Sequence, residues 1–235
     1  MTTMTHGDHV DSAIAVARKR ENVLVAGEIV RHRRASRLIH WAVALTFFVS
    51  LFSGMPIWTP IFGWMAYLVG GLETARIIHP YAGALFFIAS VVQFFHWLSD
   101  MFLRGSEKDW LRHPSKVMGY MRWEDEPAEE GGKYNPGQKL FFWAVCLGAL
   151  GLLISGIVMW FPTWFPPIVR EISYLLHDIT FIFFIIAIVV HIYLGTAAEP
   201  GTFRSMTRGT VTPGWARLHH RGWFRRVTSE EKHPD

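Results

Sequence analysis

Five of the chain's twelve histidines, His40, His79, His96, His177 and His191, lie within or at the ends of long stretches that carry almost no charge. Imidazole is a common metal ligand and titrates near neutral pH. In an apolar span an ionisable side chain is costly, and it marks either a functional group or a hydrogen bond between helices. His177 and His191 are 14 residues apart; on a helix that is about 40° short of four turns, so both project to one side with a rise of about 21 Å. Two flat macrocycles stacked along a helical bundle need about this separation, and bundle cores hold cofactors on side chains from facing helices. The four histidines sort into two layers, which predicts an outer haem b on His79 and His177 and an inner haem b on His40 and His191. His96 competes with His40, although at 17 residues after His79 it projects about 100° from that face. Plain interhelical hydrogen bonding is the alternative use of these side chains, and would make the chain a redox-silent anchor or transporter. Covalent c-type haem is excluded because no C-x-x-C-H occurs. The single cysteine, Cys146, removes a disulfide scaffold, and histidines split into distant pairs do not read as zinc. The remaining histidines, His6, His9, His32, His113, His219, His220 and His233, sit in polar segments and are expected in solvent.

Elements must hold those pairs. Of 235 residues, 51% are hydrophobic and 18% charged, against about 25% charged in soluble domains; this excludes a disordered chain. No Lys, Arg, Asp or Glu occurs over 38–72, 77–99 or 140–169, and 172–198 holds only Asp178. Each run exceeds the roughly 20 helical residues that cross a hydrocarbon core. Spans are predicted near 38–58, 80–102, 140–161 and 173–197. Their aromatic ends, Trp41 and Trp58, Tyr81 and Trp97, Trp143 and Trp160, Tyr174 and Tyr193, suit an interfacial belt. A soluble bundle would show a polar face, and Ala144–Trp160 has none. The expected fold is an all-α integral membrane four-helix bundle, with a basic segment over 1–37, a haem-bearing core over 38–198 and a tail over 199–235.

The segments between the spans carry, in order, seven, one, seven, one and seven Lys and Arg residues. The positive-inside rule then puts both termini and the 103–139 loop in the cytoplasm. The same distribution explains the basic pI by anionic lipid, so no nucleic-acid partner is expected. No cleaved leader is expected, and residues 13–30 read as a surface helix or as disorder. Gly54, Gly83, Gly156 and Gly195 suit either close approach of a macrocycle or helix–helix contact. Asn135-Pro136-Gly137 reads as a turn before a helix start. Asp178, Lys133 and Arg37 are candidates for contacts to protons or haem propionates, and equally for lipid or partner contacts.

The stretches RLIHW (37–41), RIIHPYAG (76–83), GKYNPGQKLFFW (132–143), LLHDIT (175–180), VVHIYLG (189–195) and WARLHHRGWF (215–224) resemble the cytochrome b556 (gamma) subunit of membrane-bound formate dehydrogenases, over about residues 31–227. The resemblance implies a subunit of the bacterial inner membrane with two haems, paired as above. It implies a partner iron–sulfur (beta) subunit and a molybdenum- or tungsten-containing catalytic (alpha) subunit. Electrons from formate would pass to a quinone, menaquinone or ubiquinone, near the inner haem, at a pocket matching Asn135, Gly137 and His191. The chain would then be an electron-transfer component of an enzyme and not its formate site, since it lacks a cysteine set for iron–sulfur clusters. The wider group of four-helix b-type cytochromes, hydrogenase subunits included, is the alternative. The departures from the pattern are a longer basic N-terminus and the acidic run Glu124–Glu130.

Overall fold

The computed structural model describes residues 6–115 and 132–232; the acidic run Glu124–Glu130 lies outside them. Four helices are long and apolar enough to cross a membrane: α2 (Arg34–Trp58), α3 (Leu72–Trp97), α5 (Pro136–Trp160) and α6 (Pro167–Tyr193). At 1.5 Å per residue each spans roughly 38–40 Å, more than the hydrocarbon thickness. Protein covers little of them. In the most apolar window of α6 only 6% of residues are buried, so the outward-facing Ile179, Ile186 and Val189 need lipid.

The ends follow from local chemistry. α5 starts on a reciprocal capping box: Gln138 N–H donates to Asn135 Oδ1 at 2.8 Å and Asn135 N–H donates to Gln138 Oε1 at 3.1 Å, with Pro136 at the position that needs no N–H donor. α6 also opens on a proline, and two residues after His191 it passes into a π-turn, Leu194–Ala198. α3 begins eight residues before the predicted span. Glu73 and Arg76, which ended the charge-free run, pair with each other one turn apart at 3.6 Å and are carried on an added first turn. His79 is therefore two turns inside its helix. The connection before α3 is a 3₁₀ helix, Pro60–Val69, capped by the Thr59 hydroxyl and by Gly70 at φ +89°.

The chain divides into two compact units. The first comprises residues 39–96 and 143–190 and holds the bodies of α2, α3, α5 and α6. Its centre is a triad of phenylalanines: Phe47, Phe86 and Phe184 have ring centroids 5.6–5.8 Å apart. Gly148 admits Phe184, since a Cβ there would lie 2.7 Å from its ring.

The second unit joins 1–38, 97–142 and 191–235, and it departs from an all-α fold. β1 (Val23–Val25), β2 (Glu28–Val30) and β3 (Thr210–Val211) form an antiparallel sheet, with Val23 opposite Val30 and Ile29 opposite Val211. Residues 13–30 are thus neither one helix nor disorder. α1 (His6–Val16) ends, and a hairpin follows whose two-residue turn has Ala26 and Gly27 both at positive φ, the geometry that matches strand twist. Successive β2 residues face opposite ways: Val30 packs with Ala13 and Ala17, and Ile29 with Val211, Trp215, Ala216, Trp223 and Val227. These five come from β3, α8 (Pro213–His219) and α9 (Arg221–Lys232), which follow the short α7 (Thr202–Thr207). α4 (Gly105–Leu111) completes the described α-helices.

Candidate functional site

His79 and His177 meet in the helical unit with ring centroids 6.2 Å apart and planes at 75°. Both rings are held through Nδ1. His79 Nδ1 lies 3.0 Å from the Ser50 carbonyl oxygen, which can only accept, so Nδ1 carries the proton. His177 Nδ1 lies 2.9 Å from Ser155 Oγ. That hydroxyl gives its own proton to the Gly151 carbonyl at 2.7 Å, so it too accepts from the imidazole. Fixing Nδ1–H on each ring leaves the lone pair on Nε2, the arrangement of metal-bound histidines with an outer hydrogen bond. Two imidazoles sharing one metal through Nε2, at metal–nitrogen distances of about 2 Å, have centroids about 6 Å apart. The 6.2 Å separation of the His79–His177 pair is of that order. Gly54 makes room for it, since a Cβ there would be 2.7 Å from His79 Cε1. At Gly156 the corresponding distance to His177 Cε1 is 3.7 Å, an ordinary contact, and Gly83 and Gly195 have nothing within 4 Å.

His40 sits in the second turn of α2 with its ring edge-on to Trp41 at 5.2 Å. His191 lies in the last turn of α6, stacked on Phe141 at 4.8 Å and 3°. His96 is in the last turn of α3. His40 belongs to the helical unit and His191 to the sheet-containing one. Among the described residues no group of three or more His, Cys, Asp or Glu side chains could gather on a metal.

Residues 132–136 are buried, and Gly137 is exposed. The Asn135 side-chain carbonyl oxygen accepts from the Gln138 N–H in the α5 cap. Lys139, one turn further, is buried with Glu107: Nζ reaches the two carboxylate oxygens at 2.7 and 2.9 Å and the Phe102 carbonyl at 3.1 Å, which uses all three ammonium protons. A polar hollow of about 150 Å³ opens beside this segment, lined in part by Asp100, Arg104, Lys133, Tyr134, Lys139 and Arg226.

Sequence reasoning missed what surrounds this segment. His32 and His220, expected in solvent, are 1% and 3% exposed. The His220 Nδ1–H donates to the Gly132 carbonyl at 3.3 Å; burial, then the neighbouring Arg31 charge, holds that imidazole well below its ordinary pKa. Arg31, counted only as a topology-setting cation, is also buried. Its guanidinium lies 4.7 Å from the Trp215 ring centroid, 5.5 Å from Trp223 and 5.8 Å from Tyr134. Burial lowers its pKa to about 10. Burial lowers Lys133 as well, against the pull of Glu21, whose carboxylate is 3.1 Å from Nζ. The signal available in the sequence was the density of tryptophan, histidine and arginine in WARLHHRGWF, which is unusual for a solvated tail.

The profile of the prokaryotic cytochrome b561 family matches residues 31–209. The formate dehydrogenase cytochrome b556 subunit of Haemophilus influenzae is 34% identical over 201 residues, covering 84% of this chain and 82% of that protein. The cytochrome b556(fdo) subunit of formate dehydrogenase from Escherichia coli is 32% identical over 210 residues, covering 87% and 96%. The cytochrome b556(Fdn) subunit of the nitrate-inducible enzyme from the same organism is 30% identical over 206 residues, covering 86% and 93%.

Proposed function

We propose, from the fact that this chain belongs to the prokaryotic cytochrome b561 family, that it is the membrane electron-transfer subunit of a formate dehydrogenase. In this reading it carries two b haems. His79 and His177 hold the outer one, and His40 and His191 the inner one. It passes electrons from an iron–sulfur partner, itself fed by a molybdenum- or tungsten-containing catalytic subunit, to menaquinone or ubiquinone. Quinone binds at Asn135 and Gly137 beside His191. The chain lies in a bacterial inner membrane with 1–37, the 103–139 loop and 199–235 on the cytoplasmic side, flanking the 38–198 core, and it anchors the complex there.

One observation carries the haem reading: two half-buried imidazoles from different helices, each with Nδ1 engaged and so with the Nε2 lone pair for a ligand, at a ring spacing of the order that one shared iron needs. Haem b, when bound, supplies reversible one-electron carriage. The chain's own part is to orient the imidazoles, to exclude water with the Phe47–Phe86–Phe184 packing, and to offer quinone a hydrogen-bond donor. A quinone carbonyl accepts, and the Asn135 amide N–H₂ donates. The naming of relatives supports the donor side.

The test is spectroscopic. Purified chain should show a reduced b-type α-band and two haems per chain, and His177→Ala should remove the outer haem and leave the inner one partly occupied. No α-band, or two haems surviving His177→Ala, overturns the assignment. Co-purification followed by a formate-to-quinone assay tests the partner and the donor.

A further inference from the structure

We propose that Arg31 is a positioning residue for the quinone-contact segment. The basic N-terminal arm and the C-terminal tail, which the membrane-spanning function does not itself require, would together set how Asn135 is presented. This rests on the reading that Asn135 contacts quinone.

Consecutive residues before Asn135 are each gripped from outside the segment. The Gly132 carbonyl accepts from His220 on the tail. The Lys133 carbonyl accepts from Arg31 Nη2 at 2.7 Å, and its ammonium pairs with Glu21 of the N-terminal arm. The Tyr134 ring lies beside the Arg31 guanidinium and 5.9 Å from the His32 ring. Asn135 then closes the cap on α5. Arg31 is the common member of this set. It continues directly from β2, it donates its side chain to the segment, and it lies against the rings of Trp215 and Trp223 of the tail. Its backbone is also fixed, with Arg31 N–H donating to the Gly209 carbonyl at 2.8 Å.

A guanidinium in such a setting is a poor choice for stability alone. Burying a charge is expensive; the Glu199 carboxylate offsets part of that cost through its charge, but no described carboxylate forms an ion pair with Arg31. An apolar side chain would fill the space between the tryptophans more cheaply. What only Arg31 supplies is a rigid, planar donor that reaches the Lys133 carbonyl, two residues before the proposed ligand contact, while the rings hold its plane. A shift of about 1 Å in a contact residue is enough to change turnover or affinity strongly.

The test uses the full chain in its native membrane complex. Haems are reduced with dithionite, and their reoxidation by a soluble short-chain quinone analogue is followed at the α-band over a range of quinone concentrations. Arg31→Met should raise the quinone KM about tenfold or more, with the limiting rate, haem content and spectra within twofold of wild type. Arg31→Lys, which keeps a donor near the carbonyl, should fall between the two. Asn135→Ala run alongside separates the failures. An unchanged KM in Asn135→Ala overturns the quinone reading itself. A raised KM there with an unchanged KM in Arg31→Met overturns the positioning role alone. If Arg31→Met gives no folded protein, Arg31→Lys decides: a raised KM with unchanged spectra supports the role, and a wild-type KM overturns it. A fall in limiting rate or haem content without a KM change means that Arg31 only holds the fold, which also overturns it.

Discussion

Ser155 accepts from His177 Nδ1 at 2.9 Å while donating its own proton to Gly151 one turn back. One hydroxyl thus fixes both a helix and a tautomer. The partner ring is held mainly by backbone: His79 Nδ1 lies 3.0 Å from the Ser50 carbonyl, with the Ser53 hydroxyl further off at 3.5 Å.

Ser155→Ala therefore addresses one ring alone. Loss of an outer-shell hydrogen bond to a ligating histidine typically weakens metal binding by about 10–100-fold. The expected result is under-occupancy of the outer haem when haem is limiting, with the inner haem unaffected, read by haem-to-protein ratio and by the α-band of the reduced protein.

Gly54→Ala puts a methyl 2.7 Å from His79 Cε1, closer than real contacts allow, so the His79 ring must leave its present position beside His177. Gly83→Ala, on the same helix as His79, meets open space. The first substitution should cost the outer haem and the second should leave two haems. Equal haem content in both variants would show that the ring moves without loss of ligation.

The Lys139–Glu107 pair is buried on both sides. Removing one partner strands a charge, at a cost of about 3–5 kcal/mol. Glu107→Leu or Lys139→Met alone should lower the melting temperature of the sheet-containing unit, measured by tryptophan fluorescence. The double substitution should recover most of the loss. If the singles and the double melt alike, the pair contributes no coupling.

His220 gives that unit a pH dependence with a definite sign. Its folded pKa lies below its unfolded value of about 6.5. In the window between them the unfolded chain binds the extra proton, so stability is full above about pH 6.5 and declines as pH falls toward the folded value. His220→Gln should flatten this decline. A melting temperature equally steep in acid for the variant would assign the slope to other groups.

The four long apolar helices were legible because lipid imposes a strict rule on composition, and a histidine inside a charge-free run breaks that rule visibly. The join of His79 with His177 follows from helix geometry once the spans are known. Helix starts were less legible. Glu73 and Arg76 look like a boundary until they are seen to pair with each other. The sheet was not legible at all, because its strands are two or three residues long and β3 comes some 180 residues after β2, so no local alternation accumulates. Arg31 and His220 were read by type, as a cation and an imidazole in polar sequence. Their burial depends on Trp215 and Trp223, which only the fold brings beside them.

The pairing of Ile29 with Val211 also dictates an order of assembly. Synthesis runs from the N-terminus, so residues 23–30 are made before the four long apolar helices, yet the third strand emerges only after all four. Until then Ile29 lacks its cover, the Arg31 side chain has no tryptophans, and the Gly132 carbonyl has no imidazole. The second unit is thus the last part of the chain that can close. Its closure therefore requires all four long helices to have been made, and a chain that stalls before residue 211 leaves Ile29 without its strand partner.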